Sequence, residues 1–268
     1  MKVKFMCLSS GSSGNCFYLG TEHYGILIDA GISLRSIRKT LKDINVDMST
    51  LRGVFVTHDH ADHIKSVGNI GEKCNIPIYS TKLVHQGIRK SYCVTQELSA
   101  INIRYIEKDK TIDVEDFHIT AFEVPHDGTD NVGYHIQIDG KIFCFLTDLG
   151  EITPTVQKHI EQANYLIIEA NYDRDMLMSG KYPMHLKQRI YGDHGHLCND
   201  ATGDFLANHF PKDLRYIWLC HLSKDNNQPN IAYHTVKQKL EEKGIIVDKD
   251  VQLFALQRTI PSKLFTFE

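Results

Sequence analysis

Val54-Phe55-Val56-Thr57-His58-Asp59-His60-Ala61-Asp62-His63 joins an apolar strand directly to a His-x-His-x-Asp-His run. Side chains alternate along extended backbone, so His58 and His60 project to one side. A turn into a helix beginning near Asp62 would bring Asp62 and His63 toward a second point. One short loop then offers ligands to two neighbouring metal ions. Imidazole with carboxylate suits zinc, manganese or iron, and the lack of nearby thiolate argues against a closed structural zinc site. The competing reading is a polar loop whose histidines face water. It must account for four ligand-type residues within six positions.

Further candidate ligands stand where other apolar runs end. His126 follows the run 117–124 in Val124-Pro125-His126-Asp127, Asp148 closes Phe145-Leu146-Thr147-Asp148, and His221 closes Trp218-Leu219-Cys220-His221. Strand ends hold side chains more rigidly than long loops do, as an active site on one edge of packed sheets requires.

Short apolar runs recur at 2–8, 16–20, 25–28, 52–57, 101–106, 117–124, 132–138, 141–147, 164–169, 214–220 and 251–255, and most read as strands. Helical spacing and caps mark 33–42, 62–73, 81–91, 153–162, 199–209 and 229–243, with Pro154 and Pro229 suited to first turns. Residues 132–146 predict a hairpin turning at Asp139-Gly140. The pattern of strands leading into helices occurs twice without a sequence repeat, and no Pro/Gly/Ser-rich linker separates the halves. A single domain over residues 1–268 is expected, with two packed mixed sheets flanked by helices.

The 268 residues are 42% hydrophobic and 24% charged, which excludes a disordered tail, a collagen-like fibre and a small disulfide scaffold. No run approaches the roughly 18 to 20 apolar residues of a membrane helix, and the first residues lack a secretory cleavage pattern. A cytoplasmic protein without membrane attachment is expected. Thirty basic residues against 33 acidic give a formal net charge of -3, so global attraction to nucleic acid is not evident. Seven cysteines form no Cys-x-x-Cys pair and read as reduced structural thiols. Histidine, at 15, is the unusual count.

Thr-His-x-His-x-Asp-His, followed in order by a lone His, a lone Asp and a final His, resembles the metallo-β-lactamase-fold hydrolases across nearly the whole chain. That resemblance implies an αββα sandwich with a two-metal site. It implies that His58, His60 and His126 hold one ion, that Asp62, His63 and His221 hold the other, and that Asp148 bridges them. Asp29, in Ile26-Leu27-Ile28-Asp29-Ala30-Gly31, matches the family's early aspartate and would orient a ligand histidine; from the sequence alone a turn-forming Asp is the other reading. Two metals about 3.5–4 Å apart can generate hydroxide near neutral pH and neutralise charge on an electrophile. Such a centre could act on a β-lactam, a thioester or a phosphodiester.

Three further stretches bear on that choice. Leu8-Ser9-Ser10-Gly11-Ser12-Ser13-Gly14-Asn15-Cys16 is either a tight hairpin loop or an anion-binding nest, with Ser12, Ser13 and Asn15 as substrate contacts. His194-Gly195-His196-Leu197-Cys198-Asn199-Asp200 precedes a helical pattern, with Asn199 as N-cap and His196 where helix amides favour phosphate; a plain capping loop is the alternative. Ile168-Glu169-Ala170-Asn171-Tyr172-Asp173 ends a strand in acids and an amide, and its structural reading is at least as good. Together these stretches resemble the YycJ/WalJ-type branch of the fold, associated with 5′ to 3′ exonuclease activity on DNA, although Cys198 stands where that branch usually has Ser. The expectation is a DNA exonuclease using a metal-bridged hydroxide, with Asp62 and His196 catalytic and nucleic acid, DNA rather than RNA, as partner. Two divalent ions are expected, zinc or manganese before iron. Candidate basic clusters are Arg35, Arg38, Lys39 and Lys42 on one helix, and Lys181, His185, Lys187 and Arg189 before the His194 loop. The rival readings are a hydrolase of a small cyclic phosphodiester or thioester, and a non-catalytic metal-binding interaction protein.

Overall fold

Runs rich in Val, Ile, Leu and Phe, bounded by Gly, Asn and Asp, form the strands of the computed structural model, which describes Met1–Glu268. These are β1 (Val3–Ser9), β2 (Cys16–Gly20), β3 (Gly25–Ile28), β4 (Leu51–Phe55), β5 (Ile78–Ser80), β6 (Ile103–Tyr105), β7 (Thr111–Val114), β8 (Phe117–Glu123), β9 (Val132–Ile138), β10 (Lys141–Leu146), β11 (Tyr165–Glu169), β12 (Tyr216–Cys220), β13 (Gln252–Ala255) and β14 (Phe265–Phe267). The helices are α1 (Leu34–Asp43), α2 (Ala61–Ile64), α3 (Val67–Cys74), α4 (Lys82–Lys90), α5 (Pro154–Ile160), α6 (Arg174–Ser179), α7 (Met184–Tyr191), α8 (Asn199–Asn208) and α9 (Pro229–Glu242). Two mixed seven-stranded sheets result, ordered β14-β1-β2-β3-β4-β5-β6 and β13-β12-β11-β10-β9-β8-β7. No helix is long and apolar enough to cross a membrane.

The chain forms two compact units. One comprises Met1–Ala121, Gly128–Val132 and Arg258–Glu268, the other Phe122–Asp127 and Gly133–Gln257. In the first, β14, β1, β2 and β3 pair antiparallel, and β3 through β6 continue parallel. Its core gathers Leu27, Val54 and Ile78 from the strands, and Val56 just past β4, with Ile37, Leu41, Ile70, Val84 and Ile88 from α1, α3 and α4. In the second, β9 and β10 form the expected hairpin, and β10 through β13 run parallel. Its core joins Leu146, Leu166, Ile168 and Leu219 to Val156, Leu206, Val236 and Leu240 of α5, α8 and α9. Strands β2, β3 and β11 are buried at every position.

Pro154 and Pro229 open α5 and α9 as expected. The single helix expected over 62–73 is instead broken into α2 and α3 at Lys65-Ser66. Its carbonyls are taken by strand ends: Asn15 N–H donates to Asp62 O at 2.7 Å and Ala30 N–H to His63 O at 2.8 Å, while Ser66 N–H turns away to Ala30 O at 2.9 Å. Gly31 makes this tether possible, because a Cβ there would lie 1.6 Å from Asp62 O.

Gly140, at φ +69 in the hairpin turn, has open space around it. Gly140→Ala is expected to cost only the left-handed penalty of about 1 kcal/mol. Gly31→Ala must displace the backbone that carries Asp62, so its thermal midpoint should fall clearly further. Equal midpoints for the two variants would show that the tether carries no strain-sensitive load.

Candidate metal centre

Within the first unit, β4 delivers its last residue, Phe55, into the loop that carries His58, His60, Asp62 and His63. The rings of His58 and His60 lie 4.6 Å apart between centroids, and those of His58 and His63 4.1 Å apart. His63 Nε2 lies 3.6 Å from Asp62 Oδ2. His58 and His63 are buried, whereas His60 and Asp62 are partly open to solvent.

Asp29 organises this cluster. It stands just past β3 in the left-handed region, at φ 58, and is fully buried. Its Oδ2 accepts from His63 Nδ1 at 2.7 Å and from the Thr57 hydroxyl at 2.9 Å, and its Oδ1 accepts from Thr57 N–H at 2.8 Å. Burial pushes the Asp29 carboxyl above its usual range, against the pull of His63 and Thr57. With Nδ1–H turned to Asp29, His63 presents Nε2 toward Asp62 and the Asn15 amide.

Asn15, read from sequence as a substrate contact, is fully buried instead. Its amide lies 2.9 Å from His63 Nε2 and 3.3 Å from Asp62 Oδ2, and its Oδ1 accepts from Gly11 N–H at 2.8 Å. Gly14 N–H closes the same turn onto Gly11 O at 2.8 Å, so the amides of Gly11 and Gly14 are engaged inside the turn rather than facing an anion. Ser12 and Ser13 sit exposed at its tip.

Within the second unit, Asp148, Glu169, His196 and His221 bring one ligand atom each within 4.8 Å of the others. Glu169 is the hub, a residue for which the sequence left the structural reading at least as good as a functional one. Fully buried at the end of β11, it accepts through Oε1 from His196 Nδ1 at 2.7 Å and His221 Nδ1 at 2.9 Å. Oε2 accepts from the backbone amides of Leu149 at 2.9 Å and Leu197 at 3.1 Å. Burial opposes ionisation of Glu169, but the two histidines outweigh it and hold the carboxyl below its usual range. Burial likewise pulls His196 down, and Glu169 with Asp148 overcomes it, leaving the imidazole above its usual range. A charged residue closing the otherwise apolar run Tyr-Leu-Ile-Ile-Glu was the signal available for it.

His221 follows β12 at φ 52, and its Nδ1 also lies 3.0 Å from Asp148 Oδ1. Asn171 donates to His221 O at 2.8 Å and fixes that turn. His126 directs Nδ1 to Gly195 O at 2.9 Å, and its Nε2 lies 3.7 Å from Asp148 Oδ1. Burial draws His126 below its usual range, with Asp148 opposing. The rings of His126 and His196 are 4.9 Å apart between centroids. Cys220 points its thiol at the carbonyls of Leu146 and Thr147 rather than into the cluster.

Two expectations for the 194–200 loop are corrected. Cys198, not Asn199, caps α8, its sulfur accepting from Ala201 N–H at 3.4 Å. Asn199 is fully buried and exchanges hydrogen bonds with Asn227 at 3.1 and 2.8 Å, so its side chain serves the core. Of the second basic cluster, Lys187 is buried with Nζ on Met178 O at 2.6 Å and Arg189 pairs with Asp127 at 2.5 Å, whereas Lys181 and His185 are exposed. The donor chemistry of both units, imidazole and carboxylate with no thiolate among them, fits hard to borderline divalent cations. All seven cysteines are free thiols.

Comparison with known proteins agrees with this chemistry. Residues 24–212 match the family described as Beta-lactamase superfamily domain. The chain is 30% identical to exodeoxyribonuclease YycJ of Bacillus anthracis over 98% of its own length and 99% of the relative's. It is 35% identical to exodeoxyribonuclease WalJ of Streptococcus pneumoniae, over 94% and 93% respectively. Among solved structures, the metallo-beta-lactamase fold protein YhfI from Bacillus subtilis covers 100% of both chains at a TM-score of 0.70 and 15% identity, a likeness of fold. The chain therefore belongs to the metallo-β-lactamase-fold hydrolases of the β-lactamase superfamily, in the family that includes the YycJ and WalJ proteins.

Proposed function

We propose that the chain is a metal-dependent phosphodiesterase that degrades DNA from a 5′ end. The observation that carries this reading is 30–35% identity, over nearly the full length, to two proteins named exodeoxyribonuclease. The 5′ polarity rests on the resemblance of the Ser-Gly turn and the 194–200 loop to that branch. In this reading the two compact units form one domain of residues 1–268 that holds two divalent ions, zinc or manganese before iron. His58, His60 and His126 would hold one ion, Asp62, His63 and His221 the other, and Asp148 would serve both. Ions held there would make hydroxide available near neutral pH and neutralise charge on phosphate.

The chain's own residues divide the remaining work. Asp29 and Thr57 set the tautomer of His63, and Gly195 O does the same for His126. Asp62 serves as the proton acceptor for attacking water. His196, held at Nδ1 by Glu169, carries its outward proton on Nε2, where it binds a nonbridging phosphate oxygen or protonates the departing one. Glu169 is a positioning residue whose ion pair keeps His196 charged for either task.

Metal-stripped protein supplied in turn with Mn²⁺, Zn²⁺ or Mg²⁺ should release nucleotides first from 5′-labelled DNA. Release first from the 3′ end would reverse the polarity, and absence of turnover with every metal would refute the assignment. His60→Ala and Asp148→Ala should abolish turnover while the protein stays folded. His196→Ala should lower it about 10²- to 10⁴-fold with metal content unchanged in elemental analysis; loss of metal instead would make His196 a ligand.

Gln at position 169 offers one acceptor oxygen where the carboxylate serves two imidazoles and two amides. Glu169→Gln should therefore reduce turnover or metal affinity about 10- to 100-fold. An unchanged pH profile together with wild-type turnover would remove Glu169 from the machinery.

A further inference from the structure

Helix α4 flanks a pocket of about 560 Å³ in the first unit, closed on its other sides by residues 94–98 and the edge strand β6. Lys82, Arg89 and Lys90 line it against a single acid, Glu97, and no ion pair occupies any of these three cations. One wall is aromatic. Tyr105 is 62% exposed, and its ring meets the buried His85 edge-on at 5.4 Å and 90°. Ile88, Val94 and Leu98 supply an apolar floor.

The pocket adjoins the metal loop within the same unit. Gly87 of α4 packs so closely on Asp59, the residue between His58 and His60, that a Cβ there would lie 1.8 Å from Asp59 Oδ2. At 1.5 Å rise per residue, Lys90 and Lys82 stand about 4.5 and 7.5 Å along the helix axis from that contact. A chain with a net charge of -3 thus concentrates uncompensated cations and an open aromatic face beside its ligand loop.

We propose that this pocket is a nucleotide subsite for single-stranded DNA, with a base stacked on Tyr105 and backbone phosphates on Lys82, Arg89 and Lys90. The proposal rests on the nuclease reading above and names where the substrate strand is gripped. Stacking on an aromatic face tolerates any base, and cations tracking phosphates supply affinity that falls with salt. An added peptide strand on β6 fits less well. The edge is three residues long, and Arg104 turns its guanidinium onto the carbonyls of Ile101 and Ile103 at 2.7 and 2.9 Å, occupying acceptors an incoming strand would need.

The test is equilibrium binding of fluorescein-labelled oligo-dT to the full-length, metal-stripped chain in chelator, followed by polarisation at several salt concentrations. Tyr105→Ala should weaken binding about tenfold, while Tyr105→Phe, which keeps the stacking face, should bind as the wild type does. Arg89→Glu with Lys90→Glu should flatten the dependence of log K on log salt by about 1.4 for two lost phosphate contacts. Thermal midpoints near that of the wild type verify folding of each variant.

Wild-type affinity and salt slope in these variants would overturn the subsite, as would failure of the wild type to bind oligo-dT. Normal cleavage of DNA with indifferent Tyr105 and Arg89 variants would sink the subsite and leave the nuclease. The reverse pattern, variant-sensitive binding without cleavage under any metal, would sink the nuclease and leave the subsite.

Discussion

Two fully buried carboxylates, Asp29 in one unit and Glu169 in the other, hold the imidazoles of His63, His196 and His221 in position. An ionised carboxylate away from water is stable only when several donors replace its hydration. Asp29 receives the amide and hydroxyl of Thr57 and a ring nitrogen of His63. Glu169 receives two backbone amides and the rings of His196 and His221. Each carboxylate is thereby tied to the backbone of a neighbouring segment, and the imidazoles inherit that rigidity. Orientation of these rings is in this sense a property of the sheets, since β3 and β11 carry the two acids at their ends.

The clustering of His58, His60 and His63 was legible because its information is local: alternation already brings His58 and His60 to one side, and their rings lie 4.6 Å apart. The grouping of Asp148 with His221 was legible for a similar reason, since both stand just after apolar runs. What the sequence hid depends on distant partners. Asn15 and Asn199 look like polar loop residues until the Asp62–His63 turn and Asn227 respectively close over them. The break between α2 and α3 is invisible in helical spacing, because it arises from the backbone of Asn15 and Ala30. Short strands such as β5, β7 and β14 exist through pairing with neighbours and carry too few residues to show a period. Glu169 was in view but ambiguous, since only the fold reveals that histidines from two other segments converge on it.

Charge tells a similar story at larger scale. The near-neutral total gave no hint of affinity for a polyanion, and counting cations along the chain took in two that the fold already engages. Lys187 reaches a carbonyl in the interior and Arg189 is neutralised by Asp127. Arg35, Arg38, Lys39 and Lys42 of α1 remain on the surface, as do the cations of α4. Local field at a cleft, rather than net charge, governs how a phosphate chain is received.

The shortness of α2 bears on how the protein matures. Four residues cannot nucleate a helix in water, where even long isolated helices are marginal. The geometry of that turn is borrowed from the amides of Asn15 and Ala30, which donate to the carbonyls of Asp62 and His63, so the placement of Asp62 and His63 depends on the segments that flank β2 and β3. A cation held by these residues would accordingly be captured after the sheet has paired, so that discrimination among competing ions would fall to the finished scaffold instead of to the nascent polypeptide.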